Sequence, residues 1–151
     1  MKTLALLACV MLPTATFAGD LSIQDAIVPL APPGAQVHAA YMTIVNAGET
    51  AQQIIGVSAE GYAMAHIHQS AVVNDVATMT MVDVVEVAPG QSVMLMQGGL
   101  HIMLMKPAAP KAEGDSVSLT LMLGDGSTQT VEATVSKMMM KDMHAGHGLD
   151  G

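Results

Sequence analysis

Between His66 and Met105 the chain alternates apolar with polar residues at a period of two, cut into short pieces by Asn74-Asp75 and Pro89-Gly90. That period belongs to a strand with one face in a core, and no long helical repeat competes with it anywhere in the chain. Alternate residues on a strand share a face. His66 and His68 therefore form one same-face pair, Met79 and Met81 a second, and His101, Met103 and Met105 a triplet. Imidazoles and thioethers converging from several strands make a soft, uncharged site. Such donors suit copper, above all Cu(I), and suit Mg or Ca poorly.

The rest of the chain reads in the same way. Strands are expected over 19–28, 37–45, 52–58, 65–69, 78–87, 92–96, 101–105, 116–123 and 128–135. The prolines of the PLAPPG stretch exclude residues 29–34 from a central strand, and Gly124-Asp125-Gly126 supplies hairpin chemistry between the last two strands. Short strands with turn signals at regular intervals imply an all-β sandwich or Greek-key barrel. At this length a single domain is expected, over 19–135.

Two flanking segments differ in composition. Residues 1–18 have a basic start at Lys2, an apolar run from Leu4 to Leu12, and a small-x-small site at Thr16-Phe17-Ala18, the pattern of a cleaved export signal. Leu6-Leu7-Ala8-Cys9 has the look of a lipoprotein cleavage box, but the apolar run before Cys9 is too short for an ordinary leader, so cleavage after Ala18 is expected. That removes the single cysteine, and with it thiol nucleophiles, disulfides and a Cys-ligated blue-copper site. The apolar part of the leader is too short to span a bilayer, so the mature form carries no membrane span. From Ser136 the sequence SKMMMKDMHAGHGLDG loses its alternation and reads as a flexible Met/His-rich tail. Its His144 and His147, with Met140 and Met143, are a candidate second metal site. The His donors favour Cu(II).

Charge narrows the partners. The formal net charge is −8 and the chain has five basic residues against thirteen acidic ones. With no basic patch, a nucleic-acid partner is excluded and an anionic membrane surface repels the protein. The acidity steers cations or a basic docking face toward it.

The spacing His68-x10-Met79-x21-His101-x-Met103, the Gly98-Gly99-Leu100 lead into the second histidine, the IMLM run after Leu100-His101, and the AAYMTIVNAG segment from Ala39 to Gly48 together resemble the periplasmic PCu(A)C copper chaperones (DUF461) over about residues 21–135. Members often carry a Met two places after the first histidine; here that place is Ser70. The resemblance implies a cupredoxin-like sandwich, a Cu(I) site of His68, Met79, His101 and Met103, and a periplasmic, non-enzymatic role. In that role copper passes to the CuA centre of cytochrome c oxidase, through its subunit II or another copper chaperone. A periplasmic scavenger or buffer for copper resistance or uptake is the alternative. A mononuclear copper oxidoreductase is disfavoured, because no acid–base pair accompanies the candidate ligands.

The other candidates have plainer readings. Met42, Met64, Met94, Met96 and Met122 are expected to fill the core or pack on the surface, and His38 to be a surface or hydrogen-bonded histidine. His66, Met81 and Met105 are left between packing, support of the ligands, and spare donors for transfer.

Overall fold

A computed structural model describes residues 20–137. The leader, and the tail from Met138 onward with its His144, His147, Met140 and Met143, lie outside the described residues. Ten strands are present: β1 Leu21–Pro29, β2 Val37–Asn46, β3 Gln52–Ala59, β4 Tyr62–Val73, β5 Val76–Met81, β6 Val85–Val87, β7 Ser92–Leu95, β8 Leu100–Pro107, β9 Ser116–Leu123 and β10 Thr128–Ser136. They run in the order β5-β4-β8-β2-β1-β10-β9-β3-β6, with β7 also on β2. The expected all-β architecture is what forms.

Strand β2 is the seam of the fold. Its first half, Val37 to Ala40, pairs with β8, and its second half, Met42 to Val45, pairs with β7. Along Tyr41 to Asn46 it also pairs with β1, which bulges between Gln24 and Ile27. Asp25 there adopts a left-handed backbone, φ 53°, which a short polar side chain tolerates. Past the bulge, β1 turns to pair in parallel with β10.

The alternation decides what is inside. His38, Ala40, Met42, Ile44 and Asn46 of β2 are buried and the residues between them are not. Ile54 and Val57 of β3, Ala65 and Ile67 of β4, Ile102 and Leu104 of β8, and Leu119 and Leu121 of β9 join them in the core. With few aromatics available, aliphatic side chains fill the space between the sheets. Met42 is a core residue, whereas Met64, Met94, Met96 and Met122 are all exposed.

One expected strand divides. The stretch 78–87 becomes β5 and β6, which belong to different sheets: β5 pairs with β4 and β6 with β3. The last tie to β4 is the Val82 amide donating to the Ile67 carbonyl at 2.9 Å. Beyond it, burying Val85 and Val87 requires crossing to the opposite sheet, since every residue of β5 is exposed. The β4–β5 hairpin turns through Asn74 and Asp75, both at positive φ (50° and 62°). That is the type I′ geometry that suits right-twisted strands. The β9–β10 hairpin turns differently, with the Gly126 amide donating to the Leu123 carbonyl and Gly126 left-handed at φ 86°. This is a three-residue loop closed by a glycine bulge.

Asn46 is the fully buried polar side chain that ties the seam to the far sheet. Its Nδ2 donates to the carbonyls of Thr50 (2.7 Å) and Val87 (2.9 Å), and its Oδ1 accepts from the Gly48 amide (2.9 Å). Asn46→Ala leaves the buried Val87 carbonyl without its partner and removes the part-buried bonds to Thr50 and Gly48, and is expected to cost about 1–3 kcal/mol. Chemical denaturation of the two proteins measures this.

Candidate metal centre

The outer face of the β5-β4-β8-β2 sheet carries the donors. On β8, Ile102 and Leu104 are fully buried against the core, so His101, Met103 and Met105 project from the opposite side. On β4, Ala65 and Ile67 point inward and His66 and His68 outward. Antiparallel register sets His68 directly opposite His101 and His66 opposite Met103. On its other side His68 faces Met81, while Met79 faces Ser70. On the far flank Ala39 of β2 faces Met103, and its small side chain leaves space beside the thioether.

The four spaced residues are therefore brought together on three adjacent strands. The rings of His68 and His101 lie 6.1 Å apart, centroid to centroid, tilted by 32°. Met79, His101 and Met103, with Ala39, Tyr41, Gln97 and Gly98, line an open cleft of about 300 Å³. Among the described residues no three His, Cys, Asp or Glu side chains converge, so an ion held on this face needs thioether donors.

The two imidazoles are prepared differently. The Nδ1–H of His101 donates to the Gly99 carbonyl at 3.1 Å. This fixes the tautomer that leaves Nε2 with a free lone pair, the usual arrangement behind a ligating histidine. His68 has both ring nitrogens buried and no hydrogen-bond partner for either among the described residues. An orphaned buried imidazole is costly in a purely structural position and fits one whose nitrogen serves a ligand. Desolvation holds its pKa below the ordinary histidine value, and the nearby His101 and His66 push in the same direction. The neutral, metal-competent form is thereby favoured.

His38 borders the cleft from the core side of β2. Its Nδ1 is 2.8 Å from the Tyr62 hydroxyl, which agrees with the hydrogen-bonded role expected from sequence. Burial lowers its pKa and raises that of Tyr62. A larger cavity of about 470 Å³ between residues 30–36 and 107–113 is mostly Pro and Ala, and meets the cleft only through His38. Sequence reading left two features of the site open. Met81 is the residue in direct register with His68, and Tyr41 forms a wall of the cleft. The same-face spacing of Met79 and Met81 was the available signal for the first. Nothing local marks the second.

Fold and face together define a β-sandwich with a soft-donor cleft on the outside of one sheet. The LpqE-like family model matches residues 21–135. Lxx21020 of Leifsonia xyli subsp. xyli, which carries a lipoprotein name, is 30% identical over 103 residues, covering 68% of this chain and 62% of that protein. The chain thus spans less than two thirds of the length of that curated relative. Among solved structures, apo-DR1885 from Deinococcus radiodurans is 27% identical, with 92% of this chain and 96% of that one covered and a TM-score of 0.63. Its Cu(I) form is 30% identical, with 78% of each chain covered and a TM-score of 0.62. The copper-bound PCuAC domain from PmoF2 shares the fold at 20% identity, with 80% of this chain and 95% of that one covered and a TM-score of 0.66. The chain belongs to the LpqE-like, PCu(A)C family.

The depressed pKa values of His68 and His38 make the apo protein pH-sensitive. Below an unfolded-state value near 6.5 the unfolded chain takes up protons that the folded chain resists, so stability is fully present above that pH and falls as pH drops toward the folded values. His68→Leu is expected to flatten part of this slope and to leave the metal-free protein at least as stable as the parent near pH 7. Denaturation midpoints between pH 5 and 8 check both.

Proposed function

We propose that the chain is an exported copper chaperone that carries Cu(I) on His68, Met79, His101 and Met103. The observation that supports this most directly is the unpartnered buried imidazole of His68, facing the oriented imidazole of His101 beside two thioethers. The family and the copper-bound forms of two structural relatives agree with copper as the cargo. Two imidazoles and two thioethers are uncharged, so a held Cu(I) keeps its positive charge and can leave for a partner offering thiolates. The role is carriage rather than catalysis.

Release follows from exposure. His101 is 7% exposed, whereas Met79, on the edge strand β5, is 52% exposed. Met79 is the donor that an incoming ligand replaces first, with the histidines letting go last. Exposed Val72, Val73 and Val76 at the tip of the same hairpin offer an apolar lip to a docking partner. In this reading the recipient is the CuA site of cytochrome c oxidase subunit II, or another copper chaperone, in the periplasm. The export leader ends after Ala18. The lipoprotein name of the relative makes Cys9 the competing end point, and the intact mass of the processed protein separates a lipidated Cys9 from a start at Gly19.

The tail residues Met140, Met143, His144 and His147 are proposed to add Cu(II) binding. Their density of donors also favours a second reading, a copper scavenger or buffer in the periplasm. Loss of oxidase activity in a deletion strain at low copper supports delivery, and copper sensitivity with intact oxidase supports buffering.

Competition titration of residues 19–151 is expected to give one tight Cu(I). His68→Ala or Met103→Leu is expected to weaken it at least about a hundredfold, equivalent to about 2.7 kcal/mol, with the fold retained. Met79→Leu, removing the outermost donor, is expected to weaken it less and to speed release. A chain ending at Lys137 should keep the Cu(I) and lose the Cu(II). Unchanged Cu(I) affinity in His68→Ala would remove that residue from the site.

A further inference from the structure

The row of donors does not stop at the four residues of the proposed site. One step further along the same outer face, Met64 of β4 lies directly opposite Met105 of β8, immediately beyond the His66–Met103 pair. Directly opposed residues on antiparallel strands have Cβ atoms about 4.5–5.5 Å apart, and successive same-face positions lie roughly 6.5–7 Å apart. Met64, His66, Met103 and Met105 thus form a compact square of three thioethers and one imidazole. The inward-facing residues between them, Ala65, Ile102 and Leu104, are packed in the core, so the four cannot be turned to the other face.

Access favours an ion there. β5 pairs with β4 only from His68 to Val73, so β4 beside Met64 and His66 has no strand neighbour on its outer edge among the described residues. Met64 is 40% exposed, and Met103, Met105 and His66 are each half-buried. The His66 ring is 6.4 Å from that of His68, centroid to centroid, close enough to border the first site but displaced from it along the strand.

We propose that Met64, His66 and Met105, with Met103 at the shared border, form a second position for a soft monovalent cation, Cu(I) or Ag(I), beside the first. The inference rests on the copper-carrying reading. An uncharged set of three thioethers and one imidazole selects such ions and rejects hard divalent ones. Because Met103 belongs to both squares, an ion can pass from one to the other while that thioether stays bound, by ligand exchange alone and with no change of oxidation state. With both positions filled, two positive charges on neighbouring rungs repel, and the second ion binds about tenfold or more weakly than the first.

The test is titration of the full mature chain with Ag(I), a redox-inert probe of Cu(I) sites, followed through the methionine methyl and histidine ring NMR signals. The first equivalent is expected to move His68, His101, Met79 and Met103, and further Ag(I) to move Met64, Met105 and His66. Met64→Leu/Met105→Leu should abolish the later shifts at His66 and leave the first equivalent's affinity within about twofold. Signals of Met64, Met105 and His66 that stay fixed beyond two equivalents, while Met138, Met139, Met140 and Met143 shift, would overturn the proposal. If instead Met64, Met105 and His66 respond and His68 and His101 never do, this second position stands and the four-residue site falls.

Discussion

Packing of Ile67 on β4 against Ile102 and Leu104 on β8 holds the donor face in place. All three are buried, and they occupy alternate positions on strands whose register is set by a continuous ladder from Met64–Met105 to Gln69–Leu100. A strand that slipped by one residue would put His68 and Met103 in the core and these aliphatics in water. The burial of a few branched side chains thus fixes, to within a rung, which imidazole meets which thioether. The donor face is the reverse side of the hydrophobic core, and its geometry is inherited from it.

That inheritance explains how soft donors can be displayed on a surface without being lost in it. A methionine placed inward is a packing residue, as Met42 is. The same residue placed outward on β5 or β8 is a thioether open to a visiting ion. The cost falls on His68, whose ring nitrogens are both buried without a partner among the described residues. Asn46 is the contrast, a buried polar side chain with its hydrogen bonds complete and a purely architectural task.

Position within the sheet then grades the donors. His101 sits on β8, flanked by β4 and β2, and is buried, lining the cleft with Gln97 and Gly98. Met79 sits on β5, the outermost strand, with solvent on its free side. The donors on this face thus run from a buried imidazole to an exposed thioether. Edge strands invite unwanted pairing, and here the edge is short, only Val76–Met81.

Much of this was legible in the chain itself. The period-two pattern identified the all-β class and nearly every strand, and same-face spacing grouped His101 with Met103 and His66 with His68. The division of 78–87 left only one local sign, Asp83 standing between Met81 and Val85 on an otherwise apolar period-two face; competition between edge pairing and core burial sends the two halves to different sheets. Spacing could not reveal register. That His68 faces both His101 and Met81, that Met79 faces Ser70, and that Met64 and Met105 form a further rung are facts of pairing between strands distant in sequence. Periodicity is a local consequence of backbone geometry and can be read from neighbours along the chain. Which strands meet, and at what offset, is settled by the shared core, and so was decided only in the folded protein.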